Sequence, residues 1–144
     1  MLVREALSGK AVITVIRSTP IRQAIHLLLE HRISCLPVLG DKQELIGIIS
    51  DKDIFRLLYE NADAAGESVV GDFMTTNLIV GLPSDDIGYI ATIMTNNRIR
   101  HVPIVDGRTL VGLLSVGDIV KTQIEGVVAE NRYLRQYIDG KYPA

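Results

Sequence analysis

An internal repeat is the feature that most constrains how this chain can fold. The segment HRISCLPVLG at 31–40 aligns with NRIRHVPIVD at 97–106, with an offset of 66 residues. The next segment, LIGIISDKDIFRLL at 45–58, aligns with LVGLLSVGDIVKTQ at 110–123 with an offset of 65 residues, so one residue is lost in the turn between them. A repeat with a fixed period indicates a duplicated structural unit, here of about 60 residues. The chain therefore contains two copies of one unit.

Each copy predicts the same order of elements, β-α-β-β-α. Short runs rich in β-branched residues predict strands, and apolar residues three and four positions apart predict helices. In the first copy these are a strand at 11–16, a helix at 21–32, strands at 33–39 and 44–50, and a helix from Asp51. In the second copy they are a strand at 77–82, a helix at 87–98, strands at 99–105 and 109–115, and a helix from Val116. We therefore predict a mixed α/β fold.

The small, polar segment NADAAGESVVGD at 61–72 predicts a linker between the copies. A unit of this size cannot bury both faces of a three-stranded sheet by itself, so we expect the two copies to pack on each other. We divide the chain into a first repeat with its linker at 1–69, a second repeat at 70–124 and a C-terminal helix and tail at 125–144.

Composition and charge exclude several classes of protein. The 144 residues include 47% apolar residues and carry a net charge of −2, which argues against a nucleic-acid surface. No apolar run reaches the roughly 18 residues that a membrane span requires, and the N-terminus has no apolar signal core, so we expect a cytoplasmic protein without membrane insertion. The single cysteine, Cys35, is interpreted as a packing residue.

One motif that could carry chemistry occurs in both copies. The pattern G-h-h-S-x-x-D, where h is apolar, covers 47–53 and 112–118, where a strand gives way to a helix. One interpretation is a capping box, in which Ser and Asp satisfy backbone N–H groups at the start of the helix. The other is a nucleotide site, in which the helix N-terminus attracts a phosphate and the carboxylate accepts hydrogen bonds from a ribose diol. Both interpretations can hold together.

With the h-P-V/I strand before it, this doubled motif resembles a tandem pair of CBS domains, a Bateman module. The resemblance covers about residues 1–122. It implies two βαββα repeats packed with pseudo-two-fold symmetry, and a stand-alone regulatory module that has no catalytic activity. It also implies clefts between the copies that bind an adenosyl ligand such as AMP, ADP, ATP, NAD or S-adenosylmethionine. A homodimer and a separate regulated enzyme or transporter are the partners that the resemblance implies.

The resemblance also assigns roles to individual residues of a main cleft. Asp118 would hold the ribose hydroxyls, with Ser115 at the sugar-phosphate end of the ligand. The predicted ribose and phosphate side consists of Asp118, Ser115, Arg100, His101 and Lys52, and the predicted base side of Val12, Ile13 and Ser34.

A second cleft would use Asp53 and Ser50 in the same roles. The first copy has Ser34 and Cys35 where the second has Arg100 and His101. The second cleft therefore lacks matching cations from its own repeat, and we expect the Asp118 cleft to bind its ligand more tightly.

A different class of function, a ligand-independent dimerisation scaffold, remains open because the Ser-x-x-Asp motifs could be helix caps alone. A heptad-like seam near the C-terminus would supplement such a dimer, and the alternative is that this helix folds back on its own module; the seam is formed by Val120, Ile124, Val127, Asn131, Leu134 and Ile138. An Asn at one core position of such a seam favours a parallel pair of helices. An enzyme is not indicated, since the three histidines do not form a metal-ligand pattern and no nucleophile motif is present.

Overall fold

The computed structural model of the protein describes residues 1–7 and 10–124, except for the side chains of residues 64 and 65. Most of the predicted heptad seam and the predicted tail at 125–144 lie outside the described residues. The elements are α1 (Val3–Ala6), β1 (Val15–Ile16), α2 (Ile21–His31), β2 (Cys35–Leu39), β3 (Leu45–Ser50), α3 (Asp51–Asn61), a 3-10 turn (Ala62–Gly66), α4 (Val70–Phe73), α5 (Ile87–Asn97), β4 (His101–Asp106), β5 (Thr109–Ser115) and α6, described over 116–124.

The two copies build equivalent hairpins, within a three-stranded sheet in the first copy and a two-stranded sheet in the second. In the first copy β1 lies parallel to β2, and β2 pairs with β3 in antiparallel register with Cys35 opposite Ser50. In the second copy β4 pairs with β5 in the same way, with His101 opposite Ser115. The β-α-β-β-α order predicted from the repeat is confirmed for the first copy, and the long helices and paired strands agree with the predicted ranges within about two residues.

The first strand of each copy is much shorter than predicted. Of the predicted strand at 11–16 only Val15–Ile16 pairs with a neighbour, and of the strand at 77–82 only Gly81 pairs, in a single parallel bridge to Ile104. The preceding residues of both segments line clefts between the copies instead of continuing the sheet. The β-branched pattern therefore reflects extended segments and not long strands, with Val12 and Ile13 half-buried in the first copy and Ile79 and Val80 exposed in the second.

Two short helices that the sequence pattern does not predict are exchanged between the copies. Val3 of α1 has no exposed surface and packs in the core of the second copy, where its N–H donates to the carbonyl of Asp85 at 2.8 Å. Val70 of α4 is equally buried but packs in the core of the first copy, and its N–H donates to the carbonyl of Thr19 at 2.8 Å. Each copy is therefore completed by a segment that stands next to the other copy in the chain.

The core consists of one apolar cluster in each copy. In the first, Leu36 and Ile49 from the sheet meet Ile21 and Leu57 from α2 and α3. In the second, Ile104 and Leu114 meet Ile87 and Ile90, and the clusters share the same plan because their residues are about 66 positions apart. The hairpins of the two copies also meet, where the N–H of Leu45 donates to the carbonyl of Arg108 at 3.1 Å.

Candidate functional site

Two clefts open between the copies, and each is built from both of them. The cleft that we call the Asp118 cleft has a volume of about 410 Å³ and is lined by Ser115 and Lys10. Asp118 itself is not one of the lining residues, but its carboxylate pairs with the ammonium of Lys10, which is. The lining residues of this cleft are Lys10, Ala11, Val12, Ile13, Arg32, Ile33, Ser34, Cys35, His101, Leu113 and Ser115. Its volume falls within the range of small-molecule pockets, which is about 300–1,000 Å³.

The Asp53 cleft is the pseudo-symmetric counterpart and has a volume of about 220 Å³. Its lining residues are Cys35, Ile48, Ser50, Lys52, Asp53, Thr75, Asn77, Leu78, Ile79, Arg98, Ile99, Arg100, His101 and Pro103. In both clefts the Ser-x-x-Asp motif of one copy faces the segment before the first strand and the start of the next strand of the other copy. Because each cleft combines residues of both copies, the basic residues near each motif come from the other copy as well as from its own.

The structure divides the predicted cations differently from the expectation. Arg100 and Lys52 line the Asp53 cleft and do not line the Asp118 cleft in which they were predicted. Arg100 stands just before β4, and its guanidinium pairs across the copies with the carboxylate of Asp51 at 2.9 Å. Because each cleft combines opposite copies, Arg100 faces the motif of the first copy. Arg100 and Lys52 therefore give no reason for tighter ligand binding in the Asp118 cleft than in the Asp53 cleft.

All the remaining predicted residues of the main cleft except Asp118 line it. Val12, Ile13 and Ser34 line one side of the Asp118 cleft, and Ser115 lines the other. His101 lies between them and also lines the Asp53 cleft. Ser50 and Asp53 line the second cleft, as the repeat alignment predicts.

Both Ser-x-x-Asp motifs form the predicted capping box. In the first copy the N–H of Ser50 donates to the Asp53 carboxylate at 2.9 Å, and the N–H of Asp53 donates to the Ser50 hydroxyl at 3.3 Å. In the second copy the equivalent distances between Ser115 and Asp118 are 2.8 Å and 3.0 Å. The capping interpretation is thus confirmed in both copies, and any ligand role of these carboxylates is additional to it.

Beyond the cap, the two carboxylates have different partners. Asp53 is 8% exposed, and its Oδ1 accepts a hydrogen bond from the Thr75 hydroxyl at 3.1 Å while Oδ2 accepts from Ser50. The Asp118 carboxylate instead accepts hydrogen bonds from the Nζ of Lys10, at 2.8 Å to Oδ1 and 2.9 Å to Oδ2. The Lys10 side chain is 50% exposed. Asp53 is therefore held by neutral groups within the fold, whereas Asp118 is held on its outer side by an exposed ammonium.

The charge state of Asp118 follows from these contacts. Partial burial by itself would raise the pKa of the carboxyl, but hydrogen bonds from Lys10 and from Ser115 outweigh burial and hold the pKa below its usual value. The side chain is therefore an ionised acceptor at neutral pH. An ionised carboxylate forms stronger hydrogen bonds to hydroxyl donors than a neutral group does.

Cys35 and His101 form a wall that the two clefts share. Burial is the largest cause that lowers the pKa of His101, followed by the charge of Arg100, so the ring is uncharged near pH 7. Its Nε2 lies 3.3 Å from the Ser34 hydroxyl of the other copy. Burial and the charge of Asp53 raise the pKa of the Cys35 thiol to about 12, which agrees with the predicted packing role.

The comparisons with known proteins identify the family. The model of the CBS domain matches residues 3–60 and again 70–125. The chain belongs to the CBS-domain family. One relative, the mitochondrial CBS domain-containing protein CBSX3 of Arabidopsis thaliana, is 32% identical over 123 residues, which cover 83% of this chain and 60% of the relative. The chain thus spans less than two thirds of that protein.

Two solved structures share the fold of this CBS pair. The CBS domain pair of protein MJ0100, in complex with 5′-methylthioadenosine and S-adenosyl-L-methionine, has a TM-score of 0.76 and 31% identity, with 85% of this chain and 94% of that chain covered. CBSX2, the chloroplastic protein of Arabidopsis thaliana, in complex with AMP, has a TM-score of 0.75 and 26% identity, with 86% and 97% covered. The predicted fold of two CBS repeats is therefore confirmed.

Three basic residues that line the clefts of the CBS pair escape motif-based prediction, as does Thr75, which binds Asp53. Arg32 and Arg98 line the two clefts at equivalent positions, and the repeat alignment of HRIS with NRIR contains a signal for them. Lys10 has no such signal, because the residue 66 positions later is Thr76. Among residues 1–7 and 10–124, no cluster of His, Cys, Asp and Glu could hold a metal ion, and no helix is suited to span a membrane.

Arg32 and Arg98 share an unusual backbone conformation. Each ends a long helix of its CBS copy with φ of +54°, in the left-handed region that glycine usually occupies at a helix C-terminus. Such a conformation costs a residue with a Cβ about 1–2 kcal/mol. Because both arginines line a cleft, the strain is found where a cationic side chain can reach a ligand.

Replacing Arg32 with glycine is expected to raise the free energy of unfolding. Relief of the left-handed strain exceeds the entropy that glycine adds to the unfolded chain, so the net gain is about 0.5–1 kcal/mol. Arg98→Gly should act in the same direction, whereas Gln23→Gly in the exposed part of α2 should lower stability by about 1 kcal/mol. Urea unfolding measures all three variants, and a loss of stability in Arg32→Gly would contradict the expectation.

Proposed function

We propose that this CBS pair binds an adenosyl ligand in the Asp118 cleft and thereby regulates a separate protein. The observation that carries the proposal is the state of Asp118, an ionised carboxylate that the cap orients and that, within residues 1–7 and 10–124, is paired on its outer side with the exposed Lys10. A ribose diol can replace that lysine without disturbing the cap. Asp53 has no comparable exchangeable cation, because Ser50 and Thr75 donate to its two oxygens.

The chemistry of the cleft suits an adenosyl group. A carboxylate can accept a hydrogen bond from each hydroxyl of a ribose, and such charge-assisted bonds are the stronger kind. Val12 and Ile13 offer an apolar surface on which a base can lie. Lys10 and Arg32 in the same cleft supply cations for a phosphate, and His101 supplies a ring nitrogen. We therefore still expect the Asp118 cleft to bind its ligand more tightly than the Asp53 cleft, because of Lys10 and Arg32 in place of Arg100 and Lys52.

The related structures support this class of ligand. MJ0100 is in complex with 5′-methylthioadenosine and S-adenosylmethionine, and CBSX2 with AMP, so all three ligands carry an adenosyl group. We propose the same class for this chain. Regulation by a change of shape, a homodimer, a regulated enzyme or transporter and a cytoplasmic location are further parts of the proposal.

The dimerisation scaffold is the second candidate function, and a specific observation favours it. Both motifs form complete capping boxes, so their presence can be explained without any ligand. In that case the clefts would be by-products of packing two repeats. Only binding measurements separate this candidate from the proposed sensor.

A titration of the protein against AMP, ADP, ATP, NAD, 5′-methylthioadenosine and S-adenosylmethionine tests the proposed function. A ligand present at 100 times its Kd adds about 2.7 kcal/mol to the free energy of unfolding. For a chain of this size, that increase corresponds to a rise in Tm of roughly 5–10 °C. We expect at least one of these compounds to produce such a shift and to bind in calorimetry. If none binds at millimolar concentration, the scaffold is the better account.

A further inference from the structure

We infer that Lys10 is a charge gate on the Asp118 cleft, which makes the cleft select adenosyl ligands that carry a phosphate over uncharged ones. This inference rests on the proposed function. In the structure the ammonium of Lys10 donates to both oxygens of the Asp118 carboxylate, at 2.8 Å and 2.9 Å, and these are the oxygens that a ribose would bind. A ribose diol that takes both carboxylate oxygens of Asp118 therefore displaces Lys10.

The position of Lys10 determines what happens after displacement. Its side chain lines the same cleft as Arg32 and His101, and it begins the extended segment that continues through Val12 and Ile13. The released ammonium therefore stays beside the bound ligand. A phosphate would give it a new anionic partner, whereas an uncharged nucleoside would leave it without one. Displacement of Lys10 from Asp118 thus leaves its ammonium with an anionic partner only when the ligand itself is anionic.

Partial burial of Asp118 raises the free energy that a neutral ligand must supply to break the ion pair between Lys10 and Asp118. The side chain of Asp118 is 19% exposed, so its ion pair with Lys10 is partly shielded from water. Opposite charges attract more strongly where solvent is partly excluded. Loss of a hydrogen bond to a charged group changes an equilibrium by about 10- to 150-fold. We therefore expect selectivity of roughly that size.

The other cleft supplies a comparison within the same molecule. At Asp53, the group in the equivalent place is the hydroxyl of Thr75, which lies 3.1 Å from Oδ1 and carries no charge. The chain has Thr76 where the repeat alignment places Lys10. The lysine is therefore a property of one cleft and not of the repeat. A general structural requirement of the fold would be expected at both positions.

Calorimetric titration with AMP and with adenosine tests the gate. The wild-type protein is expected to bind AMP at least about 10-fold more tightly than adenosine. In Lys10→Met, which keeps an unbranched apolar side chain, AMP should bind more weakly and adenosine more tightly, so that the ratio falls to within a few-fold. Lys10→Arg should keep the wild-type preference. Lys121→Met, which removes an exposed lysine of α6 that lines neither cleft, should also leave the preference unchanged.

The opposite direction of the two changes distinguishes a gate from a structural residue. If Lys10→Met weakens AMP and adenosine by the same factor, Lys10 only supports the fold of the cleft and the inference is overturned. Equal affinity of the wild-type protein for AMP and adenosine would also overturn it, while leaving the proposed function intact. If neither compound nor any other adenosyl ligand binds to the wild-type protein, the proposed function itself fails.

Discussion

Asp118→Ala is expected to weaken adenosyl-ligand binding by at least about 100-fold. The carboxylate would accept two charge-assisted hydrogen bonds from the ribose, each worth about 1.5 kcal/mol or more, and the variant removes both. Asp118 is also part of a capping box, in which its carboxylate accepts from the N–H of Ser115 at 2.8 Å. Loss of that cap costs about 1 kcal/mol, which corresponds to a fall in Tm of roughly 2–4 °C. Calorimetry measures the first effect and thermal unfolding the second.

Asp53→Ala is the matched control for this prediction. It removes the equivalent cap and leaves the Thr75 hydroxyl without its acceptor, so it should reduce stability at least as much as Asp118→Ala does. It should leave binding in the Asp118 cleft within a few-fold of the wild type. A protein in which both variants bind the ligand as tightly as the wild type would show that neither carboxylate contacts a ribose.

Val3→Ala is expected to destabilise the second CBS copy, although Val3 precedes the first. The side chain has no exposed surface and lies in the cluster with Ile87 and Ile90. Truncation of a buried aliphatic side chain leaves a cavity and costs about 2 kcal/mol at this size. Hydrogen exchange should show faster exchange of the amides of β4 and β5, while the amides of β2 and β3 keep their protection.

Val70→Ala provides the reciprocal experiment. Val70 is equally buried but packs in the cluster with Ile21 and Leu36, so its truncation should weaken protection in the first copy. If each substitution instead affected the copy that follows it in sequence, the exchange of α1 and α4 between the copies would be incorrect. Equal loss of protection in both copies for both variants would mean that the pair opens only as one unit.

The repeat pattern and the local motifs predict much of this molecule. Offsets of 66 and 65 residues indicate the duplication, and apolar spacing predicts α2 and α5 to within about two residues. The Ser-x-x-Asp motifs predict both capping boxes, because a cap joins residues three positions apart and forms wherever the helix begins. The resemblance to CBS pairs, which rests on the same motifs, leads to the family that the comparisons establish.

The distribution of cations between the clefts depends on contacts that no local pattern contains. Arg100 belongs to the second copy by sequence, yet it pairs with Asp51 of the first. Lys10 stands 108 positions before its partner Asp118 and has no counterpart in the repeat. The short pairing of Val15–Ile16 has the same origin, since the residues before it face a cleft formed by the other copy.

The sequence by itself determined the duplicated unit, its helices and paired strands, and the two caps, since each depends on residues that are close in the chain or repeat at a fixed offset. Only the tertiary structure decided which copy completes each core, which cations face each carboxylate, and that Lys10 covers Asp118. The physical reason is that two repeats packed about a pseudo-two-fold axis bring together residues from opposite copies. The spacing of residues along one chain does not encode that relation.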